Sequence, residues 1–312
     1  MTFQANSQAQ SPPPLETVRS LVNTWECDEN DHLNVQFFMA HKDAADRQVQ
    51  AVLDLRSAGL KIRAGWDHVR FLQELRVADP VIVRSGVASL EEASACIYHE
   101  LSNPDSDAVC ATFRTAWSVV DATGRAATWP DAARRRLEAL PCEIPDFAHA
   151  RSVDDSQPLP GLILAGAEAQ RMAPTFAGVV PSDHCDADGH LTSRGLMACF
   201  SNAAPHFWTA VGLPFREIRR RQQGTVALED LLTYGRPIRA GETLQIRSAV
   251  RAVGRKTVGF SHFVFESVSG ELVARGDVTE GFMDLTARSL VELGGELGDD
   301  LTAKLRDRLI DI

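Results

Sequence analysis

No stretch of this 312-residue chain is apolar for long enough to cross a bilayer, which takes about 20 such residues in a helix. Nor is there an excess of base, since 32 Lys and Arg face 42 Asp and Glu, a formal charge of −10. That balance excludes a non-specific nucleic-acid binder, which needs a basic face, but leaves room for a local basic patch around a phosphorylated ligand. The six cysteines (Cys27, Cys96, Cys110, Cys142, Cys185 and Cys199) include no Cys-x-x-Cys pair. Scattered in this way, they suit buried thiols in a reducing compartment better than a disulfide frame or a zinc site. The opening MTFQANSQAQSPPP has neither the basic start nor the apolar run of a secretory signal. The expectation is a cytoplasmic protein with no membrane or nucleic-acid partner.

What the chain does contain is ordinary globular material, 44% hydrophobic and 24% charged, in a length suited to about two domains. Within that length lies a repeat. Cys27-Asp28-x-x-x-His32-Leu33 recurs as Cys185-Asp186-x-x-x-His190-Leu191, an offset of 158 residues (185 − 27). The register continues with Met39-Ala40 over Met197-Ala198 and Ala45 over Ala203. Downstream the offset becomes 163 (247 − 84), with Arg84-Ser85-x-Val87 over Arg247-Ser248-x-Val250 and Asp121-x-Thr123-x-Arg125 over Asp284-x-Thr286-x-Arg288. The second copy therefore carries an insertion of five residues (163 − 158). Matches at the start, middle and end of each half, all in one order, make the chain a tandem duplication.

Both copies have the same predicted element order. A strand (about 17–25 and 175–183) leads through a polar loop into a helix (35–55 and 192–211). In the first helix Phe38, Ala45, Val49 and Val52 share a face at helical spacing. Four alternating stretches complete the second copy at 225–234, 243–253, 257–267 and 272–284, with Gly241, Gly254 and Gly270 in the gaps. The first copy repeats them less cleanly at 68–77, 81–90, 93–101 and 108–121. This reads as α+β, a sheet wrapped around a central helix, twice over. The predicted organisation is a disordered tail (1–14), a first domain (15–131), a linker (132–174), a second domain (175–292) and a C-terminal helical extension (293–312).

At this point the residues resemble a known family. A strand, then Asp-x-x-x-His-hydrophobic-Asn at the entry to a long helix, then a four-strand meander, is similar to the hotdog-fold acyl thioesterases of the 4-hydroxybenzoyl-CoA thioesterase type. The run Asp28-Glu29-Asn30-Asp31-His32-Leu33-Asn34-Val35 also resembles the D-x-N-x-H-V-N-N run of acyl-ACP thioesterases, which are double hotdogs. In the second copy, Tyr234-Gly-Arg236-Pro237-x-Arg239-x-Gly241-Glu242 and Val253-Gly254-Arg255-Lys256 look like the family's second and third strands. The resemblance implies a tandem (double) hotdog that hydrolyses an acyl-CoA or acyl-carrier thioester and needs no cofactor. It also implies that the duplicated chain supplies internally a pair other hotdogs form between subunits, and that two chains could associate further. There are two departures. The family's Gly before the His survives as Gly189 but is Asp31 in the first copy, and Thr192 stands in the second where the first has Asn34.

Thioester hydrolysis needs a base or nucleophile to deliver oxygen to the carbonyl, and donors to hold the oxyanion that forms. A carboxylate in a loop before a helix can do the first, and the unpaired amides at the helix N-terminus the second. The resemblance places the first role on Asp28, with His32 and Asn34 in support and Asp186 and His190 as second-copy counterparts. Arg251, Arg255 and Lys256, with Arg236 and Arg239, form the densest basic stretch and are candidates for coenzyme A phosphates. Each assignment has a plainer rival. Asp28 and Asp186 could be helix N-caps, the histidines could bond backbone carbonyls, and the basic stretch could be a solvated hairpin edge. Cys27 and Cys185 read as inert packing, and Phe37, Phe38, Phe207 and Trp208 as either acyl-pocket lining or core. His184, Asp186, Asp188 and His190 alternate, which spreads ligands to both sides, so no metal site is expected. Two further functions stay open: a non-catalytic acyl-CoA-binding or regulatory protein on the same fold, and a hotdog hydratase or dehydratase, whose signature the sequence lacks.

Overall fold

The computed structural model describes residues 12–293 and 299–306. Most of the predicted tail and much of the predicted C-terminal extension lie outside the described residues. The chain divides between Ala150 and Arg151 into two compact units. Among the described residues no helix is long and apolar enough to cross a membrane.

The first unit runs β1 (Leu15–Leu21), α1 (Val35–Leu53), β2 (Leu60–Phe71), β3 (Pro80–Leu90), β4 (Ser94–Asn103), β5 (Ala108–Asp121) and α2 (Asp131–Glu138). Its strands pair antiparallel in the order β1-β3-β4-β5-β2. The helix α1 starts at Asn34, whose side chain accepts the Gln36 amide at 3.0 Å, and stops where Asp54 turns left-handed (φ 53°). Its inner stripe of Phe38, Met39, Ala45, Val49 and Leu53 is buried. Val49 and Leu53 pack with Val87, Ile97, Trp117 and Val119 of the sheet, and Ala133 and Leu137 of α2 close the same core. The first turns of the predicted linker thus pack as part of the first unit.

The second unit repeats the plan with α3 (Leu164–Ala169), β6 (Ala173–Val179), α4 (Ser193–Ala210), α5 (Phe215–Arg220), β7 (Gln223–Tyr234), β8 (Thr243–Val253), β9 (Thr257–Glu266), β10 (Leu272–Asp284), β11 (Ser289–Leu290) and α6 (Asp299–Arg306). Here the antiparallel order is β7-β10-β9-β8-β6, with β11 on β10. The inserted residues fall between α4 and β7, where α5 replaces a single 3-10 turn (Leu55–Ala58) of the first unit. Its core is aromatic. Phe207 stacks on Phe260 at 4.2 Å between ring centroids, and Trp208 meets Phe282 edge-on at 4.8 Å. Each unit is a hotdog, one long helix lying on a five-stranded antiparallel sheet, and the chain is a tandem of two.

One predicted strand is misplaced. The stretch 68–77 was expected in the sheet, but β2 ends at Phe71 and residues 72–79 form its return loop. Leu75 there is apolar and only 1% exposed, so it mimics a strand residue; instead its carbonyl accepts the Leu33 amide at 2.8 Å.

Candidate active site

In the first unit the chain leaves β1 through a 3-10 turn (Thr24–Glu26), and Cys27 and Leu33 then pair as an isolated bridge that closes the loop between them. Inside it the Asp28 amide donates to the His32 carbonyl at 2.8 Å. The Asp28 Oδ1 accepts from the Asn30 amide at 2.8 Å and the His32 amide at 3.3 Å. The second unit builds the same loop. Cys185 pairs with Leu191, and Asp186 Oδ1 accepts from the Asp188 amide at 2.8 Å and the His190 amide at 2.9 Å. Asp31 (φ 60°) and Gly189 (φ 77°) occupy the same left-handed corner. Asp is among the few residues besides Gly that tolerate this conformation, so the departure at Asp31 keeps the loop's shape.

Neither aspartate is a helix N-cap. Asn34 holds that position on α1, and Thr192 caps α4 by accepting the Gly195 amide at 3.1 Å. The aspartates instead brace their own loops. Burial raises the Asp28 carboxyl above its ordinary value, the Asn30 and His32 amides pull it back, and neighbouring Asp31 pushes it up again.

The two loops differ in what faces the histidine. His32 is buried, with Nε2 lying 3.4 Å from Oε2 of Glu74, a residue of the β2–β3 return that sequence reading did not single out. Its second-copy counterpart at the 163-residue offset (237 − 74) is Pro237. There His190 is half-buried and its Nδ1 lies 3.9 Å from Asp186. Of the amides at the start of α1, three are engaged locally. Asn34 donates to the Glu26 carbonyl (2.9 Å), Gln36 to Asn34 Oδ1 (3.0 Å) and Phe37 to the Asn34 carbonyl (2.8 Å). The Val35 N–H is left without a partner among the described residues.

The cysteine thiols beside the loops are held away from thiolate. Burial raises Cys27 and Cys185, and the adjacent Asp28 or Asp186 adds to the effect. Among the described residues no group of three or more His, Cys, Asp or Glu is arranged to hold a metal ion.

The basic residues are dispersed. Arg236 and Arg239 precede β8 and Arg255 and Lys256 follow it, so the 11-residue strand separates the two pairs by roughly 35 Å. Arg236 pairs with Glu242 and Glu271 at 2.9 Å each. Arg255 pairs with Glu292, Lys256 donates to the Leu290 carbonyl at 2.9 Å, and Arg251 donates to the Ser152 carbonyl at 2.7 Å. Phe38, Phe207 and Trp208 are core residues, at 4%, 1% and 0% exposure.

A second polar feature was also not apparent from the sequence. Inside the first unit, Lys42 Nζ on α1 pairs with Asp46 (2.9 Å) and Asp67 (2.7 Å). Asp46 continues to His99 Nε2 (2.9 Å), His99 Nδ1 to Ser85 (2.7 Å), and Ser85 to Thr17 (2.7 Å). Burial alone would lower the lysine, but the carboxylates of Asp46, Asp67 and Asp43 outweigh it and keep the ammonium charged. The second unit retains Thr175, Ser248 and His262, bonded at 2.6 Å each, but Phe200 stands where Lys42 is and Ala204 where Asp46 is. Phe200 stacks on His262 at 5.0 Å. Asp230, the counterpart of Asp67, has lost its cation, and burial, then Glu280 and Glu229, push its carboxyl well up.

A model of the family described as the thioesterase-like superfamily matches residues 22–137 and 179–305, once on each unit. No curated protein matches the chain. Among solved structures, a protein described as an oleoyl thioesterase from Lactobacillus plantarum superposes with a TM-score of 0.62 at 13% identity, covering 86% of this chain and 96% of its own. An acyl-ACP thioesterase from Bacteroides thetaiotaomicron gives 0.61 at 12%, covering 84% and 96%. The 12:0-ACP thioesterase from Umbellularia californica gives 0.60 at 14%, covering 84% and 92%. At these identities the structural likeness speaks for the shared fold.

Proposed function

The chain belongs to the thioesterase-like superfamily, a family of thioester hydrolases, and on that footing we propose that it hydrolyses an acyl-CoA or acyl-carrier thioester to the free acid and thiol at the Asp28 loop. Asp28 takes a proton from water as the water oxygen bonds to the thioester carbonyl carbon. The oxyanion is held by the Val35 N–H at the positive end of α1. Collapse of the intermediate breaks the C–S bond, and the proton held by Asp28 passes to the departing thiolate. Alternatively the carboxylate attacks the carbonyl itself and expels the thiolate. Water then hydrolyses the resulting mixed anhydride, which releases the acid, restores the Asp28 carboxylate and leaves a proton for the thiolate. His32, fixed by Glu74, orients the water or the thioester, and Asn34 sets the start of the helix.

The observation that carries this reading is the completeness of the first loop. Aspartate, a buried histidine and the glutamate facing it come together there, whereas the second loop has Pro237 in place of the glutamate. Burial also moves the Asp28 carboxyl toward the range in which a general base works at neutral pH. Asp186 and His190 then serve the second loop chiefly by holding its shape. Any phosphate contact by Arg251, Arg255 or Lys256 requires exchanging the partner each now has. The side chain of Arg255, 75% exposed, is the freest to do so.

The test is free-thiol release across short, branched, aromatic and long acyl-CoAs and the matching acyl-carrier thioesters. Turnover of at least one of them is expected. Tight binding of the whole panel without release would instead favour the non-catalytic acyl-CoA-binding protein.

A further inference from the structure

His41 stands on α1 seven residues after Asn34, a spacing that returns to nearly the same helix face two turns on. Helical side chains lean toward the N-terminus, so its imidazole covers the turn that follows the Asp28 loop. Its electrostatic neighbour fits that placement. The charge acting on His41 is Glu26, a residue of the loop's own entry turn whose carbonyl receives the Asn34 amide. The residue is 8% exposed, and its Nε2 has no hydrogen-bond partner among the described residues. Burial lowers its pKa, with Glu26 only partly opposing, so the imidazole is neutral at pH 7.

A buried polar atom without a partner is uncommon, because it forfeits the hydrogen bonds it had in water. Packing does not demand this one. At the same place in the second unit (199 − 158) stands Cys199, a smaller and equally buried side chain. The histidine thus belongs to the unit that also has Asn34 and Glu74. That unit is short of oxyanion donors, since among the described residues three of the first amides of α1 are engaged locally and the Val35 N–H alone is left without a partner.

We propose that His41 is a substrate-contacting residue of the first-unit site, its Nε2–H donating a hydrogen bond to a carbonyl oxygen of the bound acyl thioester. The proposal rests on reading the Asp28 loop as the thioesterase site. A neutral imidazole is a competent electrophile toward a carbonyl, polarising it without surrendering its proton.

Two variants of the full chain, His41→Leu and His41→Gln, test it against whichever acyl-CoA the wild-type protein turns over fastest. His41→Leu should lower kcat/KM about tenfold, the loss of one hydrogen bond, with a melting temperature equal to or above that of wild type. His41→Gln, which keeps an N–H near the Nε2 position, should recover most of that loss. In wild-type protein carrying ¹⁵N-labelled imidazoles, saturation with the matching 2-oxoalkyl-CoA, a ketone that keeps the carbonyl but cannot be hydrolysed, should shift the His41 Nε2 resonance. An active wild type whose Nε2 resonance does not move, or a His41→Leu variant that loses thermal stability but keeps wild-type kcat/KM, overturns the assignment and leaves the thioesterase reading intact. A wild-type protein that neither hydrolyses nor binds any of the panel overturns both.

Discussion

Asp28 closes its loop with the same carboxylate that the proposed reaction uses as a base. The Asn30 and His32 amides stabilise the charged form, while burial and Asp31 disfavour it, so the group is both fixed and kept basic. Its partner histidine is fixed in turn by Glu74. Glu74→Gln should therefore reduce kcat about tenfold with KM little changed, because an orienting contact acts on the transition state more than on binding. Steady-state kinetics on the best substrate decide this, and an unchanged kcat would remove Glu74 from the site. Asp28, His32 and Asn34 stood out as candidates in the sequence because they lie within one short run. Glu74 was not, since it comes 42 residues after His32 (74 − 32), brought in by a return loop held to the Asp loop through the Leu33–Leu75 hydrogen bond. The corner at Asp31 looked like a departure in sequence and proves to be the same left-handed turn as Gly189.

The helices α1 and α4 show what the duplication allowed to change beneath a constant fold. Lys42 and Asp46 of α1 are sealed under the sheet with Asp67 of β2, whereas Phe200 and Ala204 occupy the same places in α4 with no charge. Lys42→Met would leave two buried carboxylates without their cation and should cost about 3–5 kcal/mol in denaturant unfolding. The double variant Lys42→Phe/Asp46→Ala, which copies the second unit, should cost less, because it leaves one buried carboxylate, Asp67, without its cation instead of two. Equal stability of Lys42→Met and wild type would contradict this. In the second unit, burial lifts the Glu280 carboxyl from 4.5 to about 7, against the Trp208 indole N–H bonded to it at 3.0 Å. A carboxyl raised in the fold binds its proton more tightly folded than unfolded. Its contribution to stability is complete below pH 4.5 and is lost as pH rises through about 7. Glu280→Gln should flatten that decline and stabilise the protein at pH 8 by at most about 3 kcal/mol, read from unfolding midpoints across pH.

The same elements mark what sequence patterning can reach. The strands β8, β9 and β10 were legible almost to the residue because alternation ran between glycine-marked turns. The first unit's β2 was displaced, because Leu75 supplies a buried apolar side chain from a loop. The interior network was invisible, since Lys42 and Asp46 share a helix while Asp67 and His99 lie on separate strands.

Over the whole chain, the duplication is the feature the sequence stated most clearly, and each copy folds as its own hotdog. What the structure adds is the extent of the asymmetry. Asn34 against Thr192, Glu74 against Pro237 and His41 against Cys199 give the first unit the larger set of polar side chains, and the proposed function assigns the chemistry to its Asp28 loop. The central claim is that this loop alone does the chemistry, and one comparison bears on it most directly. Free-thiol release is measured for Asp28→Asn and Asp186→Asn side by side, with circular dichroism confirming that both are folded. Asp28→Asn should fall by about 10²–10⁴-fold while Asp186→Asn stays within about threefold of wild type. Release at the wild-type rate by Asp28→Asn, or a collapse confined to Asp186→Asn, would contradict it.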